Sequence, residues 1–229
     1  MAERREENRA CAAAAAAEVR CLAGEGMKSV DALLLRVRDR ESSQDRFVFY
    51  VDRAIKLVVE VALGELATEK KTVVTPTGAQ VDGYDFARPV AAVSILRSGD
   101  AFMQAFNACM PGSPTGKLLV AKHAGSELQV LYSKLPKNLA SCSVLLMDPL
   151  LATGSTMIKS LQVLTGEYGV DPQHITVLCL ISCPAGIKNV QEAFPQVRII
   201  TAAVDAGLNK EHFISPGLGS FGDRYFGTR

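Results

Sequence analysis

The sequence predicts an α/β fold, a mainly parallel sheet flanked by helices, on two observations. From residue 88 onward, short continuous runs of Val, Ile, Leu and Ala alternate with stretches whose apolar residues recur at helical spacing. Strands that are apolar on both faces belong to a sheet covered on both sides, which is how parallel sheets are built. With 229 residues, 48% of them hydrophobic, the chain can bury one large core.

Taken in order, residues 1–42 read as an N-terminal extension, flexible or helical, and residues 43–229 as a single domain. The extension holds an alanine run at residues 12–17, and alanine is the best helix former. Arg4, Arg5 and Arg9 give it a faint look of a transit peptide, but Glu3, Glu6 and Glu7 oppose that reading. Ser43 to Leu66 is an amphipathic helix with Phe47, Val51, Ala54, Ile55, Val58, Val59 and Ala62 on one face. A short strand follows in KKTVVTPTG and stops at Pro76 and Gly78.

The alternation then begins. PVAAVSILRSG is a buried strand, and DAFMQAFNACM a helix capped by Asp100. KLLVAKH is a strand, and SELQVLYSKLP an extended arm ended by Pro136 that carries Tyr132 and Lys134. CSVLLMDP, HITVLCLISC and VRIITAAVD are three more strands. Between them lie the helices TMIKSLQVLTGEYG, closed by Gly166 or Gly169, and AGIKNVQEAF. The last 25 residues are rich in glycine and aromatics, show no amphipathic period and read as an irregular tail.

Bulk properties exclude several function classes. A formal net charge of +1 gives no electrostatic basis for nucleic-acid or membrane-surface binding. No run approaches the roughly 18–20 apolar residues that span a bilayer. The six cysteines, at 11, 21, 109, 142, 179 and 183, form no CxxC pair, so neither a disulfide framework nor a zinc site is expected. A reducing, intracellular setting is the simpler expectation.

In open parallel sheets, ligands bind outside the carboxyl ends of the strands. Those ends are Arg97-Ser98-Gly99, Lys122-His123, Asp148 to Thr156, Ser182 to Pro184, and Asp205. The Asp148–Thr156 stretch leaves a strand and enters a helix, where unpaired N–H groups and the positive helix end attract an anion. Thr153, Ser155 and Thr156 add hydroxyls, and Gly154 lets the backbone approach a ligand closely. Asp148 can accept hydrogen bonds from sugar hydroxyls. On the residues alone, a capped helix start and a phosphate cradle both remain open; neither the Walker nor the dinucleotide fingerprint is present. In the tail, glycines 217, 219, 222 and 227 allow backbone groups to face a flat ligand, with Phe221 stacking on it or packing nearby.

Four segments together resemble one family. They are VSILRSG (93–99), LYSKLP (131–136), DPLLATGST (148–156) and PGLGSFGDRYFGT (216–228). The chain is similar to the uracil phosphoribosyltransferases from about Phe47 to Thr228. The resemblance implies a type I phosphoribosyltransferase-like fold with a small hood from the N- and C-terminal segments and an extended β-arm. It implies transfer of ribose 5-phosphate from 5-phosphoribosyl diphosphate (PRPP) to N1 of uracil, giving UMP and diphosphate, with Mg2+. The catalytic residues would be Arg97, Lys122 and Asp148. PRPP would be held by Arg97, Lys122, Ser220 and the loop of Asp148, Pro149, Leu150, Leu151, Ala152, Thr153, Gly154, Ser155 and Thr156. Uracil would be held by Ile214, Gly219, Ser220 and Phe221, while protein ligands of the metal stay unassigned.

A homo-dimer or tetramer, a GTP effector, a cytoplasmic setting and no nucleic-acid or membrane partner complete what the resemblance implies. The sequence departs from the family pattern in three places. Lys122 stands where an arginine is usual, Ser220 where an acid is usual, and the loop reads Thr-Gly-Ser-Thr instead of Thr-Gly-Gly-Ser. Lysine keeps the charge but loses the planar fork. The alternative is a catalytically impaired homologue that binds PRPP, UMP or a protein partner in a regulatory role. Of the remaining candidates, His123 could help hold diphosphate, and Arg53 could meet an effector or a subunit. Asp205 could touch base or metal, and His212 and Phe213 would pack the tail.

Overall fold

A computed structural model describes residues 19–23, 27–122 and 127–228. Its main sheet takes the strands β1 (Val19–Cys21), β4 (Val90–Ile95), β5 (Thr115–Lys122), β6 (Leu128–Lys134), β7 (Ser143–Met147), β8 (Leu150–Leu151), β9 (Ile175–Ser182) and β10 (Arg198–Val204). They run in the order β1-β10-β9-β7-β4-β5-β6, with β8 beside β9, and every pair is parallel except β5 with β6. Two short antiparallel pairs stand apart: β2 (Thr68–Val74) with β3 (Gln80–Phe86), and β11 (Gly207–Leu208) with β12 (Ile214–Ser215). The helices are α1 (Lys28–Arg38), α2 (Gln44–Gly64), α3 (Met103–Cys109), α4 (Ser155–Gly166), α5 (Pro184–Ala193) and α6 (Phe221–Phe226).

The period of two along each central strand feeds two separate cores. In β7, Leu145 and Met147 pack with α1, α2 and α3, whereas Val144 and Leu146 pack with α4 and α5. β9 divides the same way, with Leu178 and Leu180 on one face and Val177 and Cys179 on the other. Fully burying one such side chain contributes about 1.5–3 kcal/mol, so the central strands fix both layers at once. The expected parallel sheet with helices on both faces is present. Among the described residues, no helix is long and apolar enough to cross a membrane.

The structure differs from the sequence reading at five places. First, Val19–Cys21 and the helix α1 join the main domain. Val19–Cys21 adds a parallel strand beside β10, and Val30, Leu33, Leu34 and Val37 of α1 are buried in the core. Residues 1–18, with the alanine run, lie outside the described residues. Second, the segment expected as an arm is β6, a strand of the main sheet, with Tyr132 and Lys134 opposite Leu119 and Lys117 of β5.

Third, the projecting arm is instead the β2–β3 hairpin, turned at Gly78, whose φ is +85°, with Thr75 N–H bonded to Ala79 O. Fourth, Asp100 does not cap a helix. It lies in a 3-10 turn (Ser98–Phe102) and accepts from Ser94 Oγ at 2.6 Å and Lys117 Nζ at 2.7 Å. Fifth, the tail is not irregular throughout, because Phe221–Phe226 forms the short helix α6.

Candidate active site

The turn after β4 and the loop after β7 meet at the carboxyl edge of the sheet. Gly99 sits so close to the Met147 carbonyl, one residue before Asp148, that a Cβ there would collide with it. The loop from Asp148 first runs beside β9: Leu180 and Ile181 N–H both donate to Pro149 O, and Cys183 N–H donates to Leu151 O at 3.1 Å. Gly186, at the start of α5, lies under the loop. A Cβ there would strike Ala152 O and approach Leu151 O to 2.8 Å. Asn189 Nδ2 donates to Thr153 O at 2.9 Å. Pro149 and Leu151 are buried, so the part of the loop left to a ligand is Thr153 to Thr156.

Gly154 takes φ +81° and turns the chain into α4, a conformation that strains any residue with a Cβ. Thr153 Oγ1 accepts from Ser155 N–H, the first of α4, at 3.4 Å and lies 3.1 Å from Ser155 Oγ. Among the described residues, no acceptor meets the N–H groups of Thr156 and Met157. Two orphan donors at the positive end of a twelve-residue helix are what an anion needs. Thr153 Oγ1 takes the Ser155 N–H alone, so this helix start is only partly capped, and the two donors left over suit a cradle.

Asp148 is only partly exposed, and desolvation pushes its carboxyl up to about 7, while the Leu150 N–H pulls the other way. Arg97 reaches across to the tail. Its Nη2 lies 3.2 Å from Asp223 Oδ1, its Nη1 3.1 Å from Thr228 Oγ1, and its guanidinium 5.3 Å from the Phe226 ring centre. Asp223 also accepts from Ser220 Oγ at 2.7 Å and Thr228 Oγ1 at 2.8 Å. The Ser220 and Thr228 hydroxyls, then Arg97, hold its carboxyl below the usual aspartate value. Gly222 faces this cluster closely: a Cβ would lie 2.9 Å from Arg97 Nη2 and 3.2 Å from Ser98 Oγ.

The glycine-rich turn from Ile214 to Ser220 follows β12. Ile214 is buried and Gly219 exposed with φ +81°. The Phe221 ring cannot stack on a ligand. It is 2% exposed, 5.9 Å from the Phe47 ring and 5.4 Å from the Tyr225 ring, so only its backbone can face the site. Asp205 does not reach a base or a metal either. It is 6% exposed, and its carboxylate takes both arms of Arg38, at 2.7 and 2.6 Å, and the Gly217 N–H at 2.7 Å.

His212 and Phe213 do not pack the tail, since both are exposed. Arg53 lies over the Phe49 ring at 5.7 Å. Lys122 is placed by its backbone only, as the last residue of β5 opposite Leu128. The roles expected for its side chain and for His123 fall outside the described residues.

Of the residues singled out in the sequence, the structure brings Arg97 against the tail and sets the Asp148–Thr156 loop beside β9 and α5. Sequence reasoning missed Asp223 and Thr228 as partners of Arg97, Gly186 as the bed of the loop, and Arg38 and Arg224 as supports of the turn. Of these, Gly186 alone left a trace in the sequence: a glycine in the first turn of a helix, two residues after Pro184, signals a close approach of another backbone.

A mainly parallel open sheet with a glycine loop entering a helix, an arginine turn and a glycine turn on one edge is the architecture of the phosphoribosyltransferase class. The chain belongs to the uracil phosphoribosyltransferase family, whose profile matches residues 26–228. It is 39% identical over 193 residues to a uracil phosphoribosyltransferase of Dictyostelium discoideum, covering 84% of this chain and 89% of that one. It is also 44% identical over 192 residues to a chloroplastic uridine/cytidine kinase of Arabidopsis thaliana, covering 84% of this chain but 40% of the relative. The chain therefore spans well under half the length of that relative. A solved protein of Aquifex aeolicus superposes with a TM-score of 0.79 at 26% identity, covering 91% of this chain and 98% of that one.

Proposed function

We propose that this chain transfers ribose 5-phosphate from PRPP to N1 of uracil, releasing diphosphate and forming UMP. The observation that carries the reading is the pair of unpaired N–H groups at Thr156 and Met157, on the same sheet edge as Arg97 and the Ile214–Ser220 turn. In this reading Thr153 to Thr156 hold the 5-phosphate, and Asp148 accepts from the ribose hydroxyls. Arg97 and Lys122 face the diphosphate. Negative charge grows on the departing diphosphate while the ribose turns cationic, so fixed positive groups at one end of the ligand lower the barrier by position and charge alone.

Backbone groups of Ile214, Gly219, Ser220 and Phe221 suit a flat base with two carbonyls and two N–H groups. Cytosine, with an amino group opposite a fixed donor, is excluded. Among the described residues no group of three acidic, His or Cys side chains could hold a metal by itself. That fits Mg2+ arriving with the substrate, since this ion is commonly bound through phosphates plus one or two carboxylates; when bound it would neutralise charge on the leaving diphosphate. Asp148 is the carboxylate free to assist, because Asp223 is taken by three donors.

The same reading includes a cytoplasmic setting and a homo-oligomer. The β2–β3 arm supports the latter: Val73, Val74, Val81 and Tyr84 are exposed on a two-stranded hairpin, a structure marginal without a partner. For an anionic effector such as GTP, Arg53 and Lys56 line a groove of about 330 Å3 between α2 and α3. A second reading, an impaired homologue that binds ligand without turnover, draws on Ser220, whose hydroxyl is spent on Asp223 where the family pattern has an acid.

The deciding experiment incubates the purified chain with PRPP, Mg2+ and uracil and measures UMP. UMP from uracil, and none from cytosine, is expected. PRPP binding by calorimetry without UMP at high enzyme concentration would select the second reading.

A further inference from the structure

Two arginines grip the glycine turn from behind. Arg38, from the last turn of α1, forks onto both oxygens of Asp205 and also donates to Gly217 O at 2.9 Å. Asp205 returns the grip by accepting from Gly217 N–H at 2.7 Å. Arg224, 8% exposed, donates to the next carbonyl, Leu218 O, at 2.7 Å. It also donates to Val37 O at 2.8 Å and Asp39 O at 2.7 Å, carbonyls left open where α1 ends, and it lies 4.1 Å from the Phe47 ring centre.

Peptide planarity turns these contacts into aim. The C=O of one residue and the N–H of the next belong to one rigid plane and point in opposite directions. Holding Gly217 O fixes the direction of Leu218 N–H, and holding Leu218 O fixes that of Gly219 N–H. Gly217 itself has φ +60°, and a Cβ there would run into Ile214 O, so the turn folds tightly on itself. The turn has no regular hydrogen-bond ladder beyond the two-residue β11–β12 pair, so without outside support its peptides could rotate.

We propose that the Arg38–Asp205 pair, acting with Arg224, is a positioning device for base recognition: Arg38 and Asp205 fix the Gly217–Leu218 peptide from which the turn enters Gly219, Arg224 fixes the Leu218–Gly219 peptide, and the grip thereby sets affinity for the base without touching PRPP. The inference rests on the base pocket proposed above. It gives α1 a role in the specificity of the site. A planar fork is required, because a lysine ammonium cannot bridge both Asp205 oxygens and Gly217 O with the same geometry.

The test compares Arg38→Lys and Asp205→Asn with the parent chain, in full kinetics for each substrate with thermal unfolding alongside. The expected result is a rise of about tenfold or more in KM for uracil, the size of one or two misaligned hydrogen bonds. KM for PRPP should change by less than about twofold. Uracil KM unchanged in a folded Arg38→Lys, or both KM values rising together, would overturn the proposal. Should Asp205→Asn fail to fold, Arg38→Lys alone decides between these outcomes. A parent that makes no UMP would overturn the base pocket and this inference together. A parent that makes UMP, with unaltered uracil KM in the variant, rejects the positioning role alone.

Discussion

Arg97 and Asp223 form an ion pair across 126 residues of chain, Nη2 to Oδ1 at 3.2 Å, with Thr228 Oγ1 bound to both side chains. The Arg97 side chain is 53% exposed, so the pair adds little to stability; exposed pairs typically contribute up to about 1 kcal/mol. In the proposed function, its effect is to hold a guanidinium at the mouth of the site. Replacing it should therefore separate activity from folding. Arg97→Met is expected to lower kcat/KM for PRPP by about 100-fold, roughly 2.7 kcal/mol of lost charge stabilisation. Its unfolding midpoint should stay within a few degrees of the parent's, as thermal unfolding with paired UMP kinetics would show.

Gly186 tests the bed of the phosphate loop. A methyl group there has no room against Ala152 O and Leu151 O, which are backbone atoms. Gly186→Ala is expected to cost about 1–3 kcal/mol, the range for overpacking a tight contact. It should also raise KM for PRPP more than KM for uracil. Urea unfolding and the two KM values check both parts.

Asp148 gives a pH dependence with a definite sign. Folding raises its carboxyl from the ordinary aspartate value, near 3.8, to about 7. Between those values the folded chain holds a proton that the unfolded chain has released. Stability attributable to this group therefore falls as pH rises from about 4 to about 7 and is level above and below. Asp148→Asn should remove that slope and be more stable than the parent at pH 8. Urea midpoints of both proteins between pH 4 and pH 8 provide the test, and parallel curves would refute it.

The arm offers a test that leaves the site alone. Tyr84 is 72% and Val74 67% exposed. Tyr84→Asp with Val74→Asp places charge on the apolar positions of the hairpin and should shift a dimer to monomer in sedimentation, with the far-UV spectrum of the main domain retained.

The central strands β4, β7 and β9 were legible because each is apolar on both faces, a pattern little else produces. β2 and β3 gave weaker signals: with Lys70, Lys71, Asp82 and Asp85 among their residues and almost no burial, neither shows an inward-facing stripe. α1 is harder to place in the core from sequence: Val30, Leu33, Leu34 and Val37 keep helical spacing, but the charged and alanine-rich residues before them read as a solvated helix. In the candidate site, Arg97 and Thr153 to Thr156 stood out in the sequence because strand ends in such sheets are privileged positions. The partners of Arg97 could not, because contacts between residues 97, 223 and 228 depend on how the tail folds back. Phe221 and Asp205 show the converse. Both have functional-looking chemistry, and both are consumed in holding the protein together.

The grip of Arg38 and Arg224 also orders events during synthesis. Arg38 and Asp205 are 167 residues apart, and Val37 and Arg224 187. A ribosome must add most of the chain after α1 before the carboxylate and the second arginine exist. Until then α1 has its buried face and its open carbonyls without those partners, and the base turn has not been made. Contacts this distant in sequence raise the contact order of the fold, which slows folding. The loop at Thr153–Thr156 and its bed at Gly186 are therefore synthesised before Asp205 and Arg224, which grip the Ile214–Ser220 turn.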